Sequence, residues 1–229
     1  MSPRAPTSRA AGVFICGTDT GVGKTLVATA LLRAAVAAGR RAVGMKPVAA
    51  GIDAGAATNA DVTALAAAGN VAAALADRNP YAFAPAVAPH LAAAAAQVDI
   101  DIGRIVAAYG RLAAVADLVV VEGAGGALVP LGARHDMLDL AAALQLPLLL
   151  VVGMRLGCLN HALLTEVAIR ARGLALIGWI ACEIDPAMPL RAENRQTLET
   201  RLAAPRIATV AHGGTAAFPA EWLRDLESC

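Results

Sequence analysis

The sequence predicts a doubly wound α/β fold: a single, mostly parallel sheet flanked by helices. Two observations carry this. Short runs such as residues 118–121 and 147–152 are apolar throughout, without the alternation of a strand that faces water on one side; such runs suit strands buried on both faces of a parallel sheet. Helical stretches separate these runs, so strand and helix take turns along the chain.

The elements follow in order. Residues 12–16 form an apolar run ending at Gly17, which predicts a buried first strand. A Gly/Thr/Asp loop leads to a helical stretch over 24–38, stopped by Gly39. Residues 41–45 read as a second strand stopped by Pro47, and 61–68 as a short helix. Residues 79–90 carry three prolines and predict a long loop. A helix over 102–116 precedes a strand over 117–121, which runs into Gly123-Ala-Gly-Gly126. The strand over 147–152 runs into Gly153. A helix over 160–172, a strand over 174–181, a helix over 191–202 and a strand over 207–210 complete the pattern. The alanine-rich tracts at 64–76 and 91–96 read as compositional bias, not architecture.

Composition bounds the function. The 229 residues suffice for one sizeable α/β domain, expected over 12–229, with no repeat. The chain is 58% hydrophobic, mostly alanine, and 3% aromatic, so Leu, Val and Ile must fill the core. A net charge of +1 offers no footprint for nucleic acid or an anionic membrane. Cys16, Cys158, Cys182 and Cys229 make no metal-ligand spacing and read as reduced thiols, placing the protein in the cytoplasm. The most apolar stretch, 137–152, contains Asp139, Gln145 and Pro147 and is too short to cross a membrane. Residues 1–11 lack the apolar middle of a signal peptide and read as a disordered tail.

The strongest motif is Gly17-Thr-Asp-Thr-Gly-Val-Gly-Lys-Thr25, after a strand and opening a helix. Glycines let the backbone curl so that several N–H groups face one anion, and the helix N-terminus adds its dipole. Lys24 can reach the β- and γ-phosphates, and the Thr25 hydroxyl can bind Mg²⁺. The segment therefore reads as a phosphate-binding loop, with five residues between Gly17 and the Gly-Lys pair where the usual spacing is four. A glycine-rich turn that binds nothing is the alternative, and the strand–helix context argues against it. Glu122, between an apolar strand and a glycine-rich turn, is placed to ligate the metal; a solvated strand-end glutamate is the alternative. Asp61 is a weaker case, since an Asp near a helix start is usually a cap, and Asp53, Asp99 and Asp136 look much the same. Lys46 closes a strand where α/β sheets bind ligands. An exposed strand-end lysine is as good a reading of the position alone, but Lys24 and Lys46 are the chain's only two lysines, which favours function.

With these residues the sequence resembles the dethiobiotin synthetase family. The likeness runs from Val13 to about Ile184 through the loop above, Met45-Lys-Pro-Val-Ala49 with Gly51, Asn79-Pro-Tyr81, Pro89-His90, Val121-Glu-Gly-Ala-Gly-Gly126, Leu156-Gly-Cys-Leu-Asn-His161 and Gly178-Trp179. The five-residue spacing is that family's own variant. The resemblance implies a P-loop NTPase-like fold and an ATP- and Mg²⁺-dependent ligase of biotin biosynthesis. That enzyme takes diaminopelargonic acid, carbon dioxide and ATP to dethiobiotin, ADP and phosphate. It further implies that Gly21, Val22, Gly23, Lys24, Thr25, Leu26, Asp61, Glu122, Gly123, Ala124, Gly125, Cys182 and Glu183 surround ATP. Thr25, Asp61 and Glu122 would hold Mg²⁺. Thr20, Lys46, Ala50, Gly157, Cys158 and Asn160 would meet the diamine, with Lys24 and Lys46 catalytic. A homodimer would form, in which the 155–161 segment reaches the tail of the partner's substrate.

The chain departs from the family pattern at four places. Ala50 and Ala88 stand where serines are usual, Cys182 where an asparagine meets the adenine base, and Ala211 where a proline lies beside it. A ParA/MinD-like partitioning ATPase is disfavoured, because those proteins carry a lysine where Asp19 stands. An amidase of the cobyrinic-acid type would need a glutaminase partner that the chain is too short to include. A non-enzymatic nucleotide-binding module would leave Lys46 unexplained.

Overall fold

The computed structural model describes residues 10–226. Six strands form the main sheet in the order β2-β5-β1-β6-β7-β8: β1 (Ala11–Gly17), β2 (Ala42–Met45), β5 (Leu118–Glu122), β6 (Leu148–Gly153), β7 (Leu176–Cys182) and β8 (Arg206–Val210). Every neighbouring pair is parallel. A two-stranded parallel sheet pairs β3 (Val48–Ala50) with β4 (Tyr81–Phe83). The helices are α1 (Lys24–Ala37), α2 (Ala60–Ala68), α3 (Leu75–Arg78), α4 (Pro89–Ala95), α5 (Ile102–Ala113), α6 (Met137–Leu144), α7 (Cys158–Ala171), α8 (Arg191–Arg201) and α9 (Ala220–Asp225).

The pleat of β1 sets the two faces. Val13 and Ile15 enter one core with Leu31 and Leu32 of α1, Leu65 of α2 and Val120. Phe14 and Cys16 enter the other with Leu112 of α5, Leu138 of α6, Leu150 and Trp179. Successive strand residues point to opposite faces, so an unalternated apolar strand must be covered on both sides. Deleting a large side chain here, as in Leu31→Ala, costs about 2–5 kcal/mol.

Several boundaries and two assignments differ from expectation. The 79–90 segment is not a long loop: it contains β4, and α4 starts at its last proline, where the missing N–H of proline costs no helical bond. The 64–76 and 91–96 tracts are architecture, not bias, because α2, α3 and α4 run through them. The expected helix ending at Ala116 stops at Ala113, β5 ends on Glu122 rather than Val121, and α7 begins at Cys158, two residues early. β3, α3, α6 and α9 were not expected. Of the expected tail, residues 1–9 lie outside the described residues, while Ala11 already belongs to β1. Asn59, Asp101 and Asp136 cap α2, α5 and α6 with side-chain oxygens, and a capping box links Asp136 and Asp139.

Candidate active site

β1 lies at the centre of the sheet, with β5 and β6 on either side, so its carboxyl end opens a crevice at the switch in strand order. The 17–23 loop occupies that end. Gly23, the N-cap of α1, has φ 99°, where a side chain is strained, and a Cβ there would lie 3.1 Å from the Cys182 sulfur. Gly17 is tightly packed for another reason: the Lys24 side chain folds back over it, so that a Cβ would lie 3.0 Å from both Cδ and Nζ. Lys24 Nζ donates to the Asp19 carbonyl at 2.8 Å. No acidic residue occupies the first turn of α1, which leaves its free N–H groups and dipole for an outside anion. Burial, and then repulsion from Lys46, lowers the Lys24 pKa below the ordinary lysine value.

Lys46 follows the last residue of β2 directly. The β2–β5 register ends at Met45 opposite Val121, so Lys46 and Glu122 are the next residues on each strand. Lys46 Nζ donates to Glu122 Oε1 at 2.5 Å, lies 2.9 Å from Asp61 Oδ2, and reaches the Gly123 carbonyl at 3.3 Å. Both Lys46 and Glu122 are buried; Asp61 is partly open to solvent. Burial works to lower the Lys46 pKa, but the Glu122 and Asp61 charges outweigh it and hold the ammonium above the ordinary lysine value. Burial raises Glu122; Lys46 opposes this and the neighbouring Asp61 charge adds to it. The two carboxylates hold the ammonium charged, while burial keeps the Glu122 carboxyl above its ordinary value.

Thr25 faces the same two carboxylates. Thr25 Oγ1 stands 2.9 Å from both Asp61 Oδ1 and Glu122 Oε1. A hydroxyl has one proton and can donate to only one of them. Oxygens bound at right angles to Mg²⁺ at 2.0–2.1 Å lie about 2.9 Å apart, which is the distance of the Thr25 hydroxyl from each carboxylate. Glu122 Oε2 is buried with no hydrogen-bond partner. No group of three His, Cys, Asp or Glu residues placed to hold a metal occurs among the described residues. A cation held by two carboxylates, a hydroxyl and phosphate is the Mg²⁺ pattern. The residues fit the ion.

The other expected residues distribute unevenly. Gly123, Ala124 and Gly125 form a turn stacked on the loop: a Cβ on Gly125 would come within 3.4 Å of Thr20 Oγ1. Leu26 is partly exposed in the first turn of α1. Ala50 ends β3, and Asn59 Nδ2 donates to the Gly51 carbonyl at 2.5 Å beside it. The Cys182 thiol packs under Gly23, and burial pushes its pKa up to about 12. The Glu183 carboxylate accepts from Arg191 at 2.7 Å and Arg195 at 3.4 Å. Gly157 caps α7 in the left-handed conformation and Asn160 is exposed, while the Cys158 side chain lies in the core and its N–H donates to the Arg155 carbonyl. Sequence reasoning missed Arg155, which donates to Asp19 Oδ2 at 2.5 Å and ties the phosphate loop to the β6–α7 segment. It also missed a structural role for Asn79. No spacing rule marks either, because both bonds join distant stretches.

A family model described as an AAA domain matches residues 11–214. An ATP-dependent dethiobiotin synthetase BioD of Aromatoleum aromaticum is 55% identical over 201 residues, covering 87% of this chain and 89% of that protein. The protein of the same name from Nitrosospira multiformis is 53% identical, covering 85% of each. The chain belongs to the dethiobiotin synthetase family. Among solved structures, the septum site-determining protein MinD of Pyrococcus horikoshii, complexed with Mg-ADP, superposes with TM-score 0.53 at 18% identity, covering 88% of this chain and 81% of that one. A ParA family ATPase of Chlorobium tepidum gives TM-score 0.55 at 15% identity, covering 96% and 89%. These neighbours share the P-loop fold alone; sequence separates this chain from the partitioning ATPases. No helix among the described residues is long and apolar enough to cross a membrane.

Proposed function

We propose that the carboxyl ends of β1, β2 and β5 are where this ATP-dependent ligase closes the urea ring of dethiobiotin, in biotin biosynthesis. The observation that carries the assignment is the buried Lys46 ammonium, held by the two carboxylates that also approach Thr25. Residues 12–229 act as one catalytic unit, in the cytoplasm, where buried free thiols such as Cys16, Cys158 and Cys182 stay reduced.

One amine of diaminopelargonic acid takes up carbon dioxide as a carbamate, ATP phosphorylates the carbamate, and the second amine attacks the activated carbon and expels phosphate. Lys24 and the N–H groups opening α1 bind the phosphates. Thr25, Asp61 and Glu122 would hold Mg²⁺, which when bound neutralises charge on the phosphate oxygens. Lys46 stands where carbamate and γ-phosphate must meet. Two anions repel, and a fixed cation between them lowers that cost most as charge shifts in the transition state. Because Glu122 and Asp61 already hold it, the ammonium is charged and aimed before substrate arrives. The rest of catalysis is holding the second amine against the carbon.

The test is phosphate release from ATP with the diamine and bicarbonate, omitting each in turn. Release should require all three. Release without the diamine would mean a plain ATPase and overturn the assignment.

We also propose a homodimer. Leu156, just before α7, is 89% exposed, Leu164 and Val167 on α7 are more than half exposed, and so is Leu128 in the loop after β5. Leu128 and Leu164 line a cleft of about 460 Å³ with Thr18, Asp19 and His161, between the phosphate loop and α7. Apolar rims of this kind mark association surfaces. The substrate's far carboxylate would meet the Gly157–Asn160 turn of the partner. Mixing Lys24→Ala with Gly157→Val, each inactive alone, should restore part of the activity through hybrid dimers. No recovery despite demonstrated subunit exchange would show that each chain builds its own site.

A further inference from the structure

Lys46 lies at a break in the architecture. The β2–β5 ladder ends one residue before it, and Pro47 and β3 carry the chain into the small sheet. No strand ladder therefore fixes the backbone of residue 46, although its ammonium must meet two carboxylates within 3 Å. Both of its backbone polar groups are instead taken by residues 78 and 79. The Lys46 N–H donates to the Arg78 carbonyl at 2.8 Å, and the Lys46 carbonyl accepts from Asn79 Nδ2 at 2.6 Å. Asn79 is buried, and its Nδ2 also donates to the Tyr81 carbonyl at 2.9 Å, so the amide spends both N–H bonds on tying the start of β4 to the lysine. The residue before a proline is already confined to extended backbone. Asn79 adds a side-chain bond to the carbonyl of that extended residue.

We propose that Asn79 is a positioning residue for Lys46: it sets the lysine backbone so that the ammonium falls between Glu122 and Asp61. The inference rests on the catalytic reading of Lys46. A buried asparagine could serve the turn into β4 alone, through Tyr81. The bond to Lys46, 33 positions away, is what that simpler role does not need. Without the donor, the buried Lys46 carbonyl loses its partner, the segment shifts to find another, and the ammonium shifts with it.

The experiment is a double-mutant cycle in the full chain. Asn79→Asp keeps the shape and removes both donors; Asn79→Ser is a second, smaller replacement. Each is made in the native and the Lys46→Ala background, with kcat measured in single turnovers and ATP affinity by titration. We expect kcat to fall about 10²-fold, as misplacement by an ångström does, with ATP affinity within about twofold of native. In the Lys46→Ala background the same replacements should cost no further turnover. If Lys46→Ala loses turnover but the Asn79 variants keep it, or if their cost persists undiminished without Lys46, Asn79 is not acting through the lysine and the inference fails alone. If neither variant binds ATP normally, its role is structural and the inference fails. If Lys46→Ala itself keeps near-native turnover, the catalytic reading of Lys46 falls first.

Discussion

Two neighbouring strand–helix junctions use the same backbone device for different ends. β1 and β6 are adjacent and parallel, and both α1 and α7 begin on a glycine in the left-handed conformation, φ 99° at Gly23 and 96° at Gly157. Neither helix has a side-chain cap or an acidic first turn, unlike α2, α5 and α6, whose ends are closed by their own Asn or Asp. Both therefore leave N–H groups for an outside anion. What surrounds them differs. The β1–α1 junction is enclosed by buried charge: Lys24, Lys46 and Glu122. The β6–α7 junction has exposed Leu156 before it and exposed Leu164 beyond it. The same backbone turn thus stands in two settings, one lined by buried charge and one by exposed apolar side chains.

The sharpest break of that comparison is at the enclosed junction. Lys24→Ala should abolish ring closure, raising KM for ATP and lowering kcat together by about 10³-fold overall, because its charge is used in binding and transfer. Lys46→Ala should lower kcat by a similar factor while leaving ATP affinity nearly native. Steady-state kinetics with a separate ATP titration distinguishes the two. Near-native turnover in Lys46→Ala would remove the lysine from the chemistry.

At the open junction the effect should be milder and fall on the other substrate. Asn160→Ala should raise KM for the diamine about tenfold with KM for ATP unchanged. A change confined to ATP would mean that the two junctions serve the same ligand.

A third test concerns the end of β7 beside the enclosed junction. The Cys182 thiol is packed against Gly23 and the Glu183 carboxylate is committed to Arg191 and Arg195, so neither side chain offers the free donor–acceptor pair of an asparagine. Sites without paired polar groups discriminate weakly, so kcat/KM for ATP should exceed that for GTP and CTP by about tenfold at most. Cys182→Asn should widen the gap. A strong native ATP preference would assign base reading to the backbone.

The smallest effect is on stability in acid. Burial alone would raise the Asp61 pKa, but Lys46 and Thr25 outweigh it, and the folded value lies below the ordinary 3.8. A group depressed in the folded state stabilises above its unfolded pKa and loses that contribution as pH falls through the folded one. Thermal melts of native protein and Asp61→Asn should therefore differ near neutrality and converge below about pH 4. A constant difference would show that charge is not the source.

Most of the sheet, and the residues proposed to bind phosphate, could be picked out from the sequence alone. Unalternated apolar runs admit few structures besides strands covered on both faces, and phosphate and Mg²⁺ demand glycine, lysine, hydroxyl and carboxylate at strand ends. Gly17–Thr25 and Glu122 therefore stood out, whereas the position of Lys46 read equally as an exposed strand-end lysine and only the scarcity of lysine favoured function. Helix α6 did not, because residues 137–144 and β6 read as one apolar run across Pro147. β3 and β4 did not, because three-residue strands pair only with one another. Asp61 stayed ambiguous between cap and ligand until the fold gave the cap to Asn59 and turned its carboxylate to Thr25 and Lys46. The bonds Asn79 to Lys46 and Arg155 to Asp19 join residues 33 and 136 positions apart. Local spacing encodes what one loop can do to one phosphate; which distant side chains steady that loop is decided only when strands from separate parts of the chain come side by side.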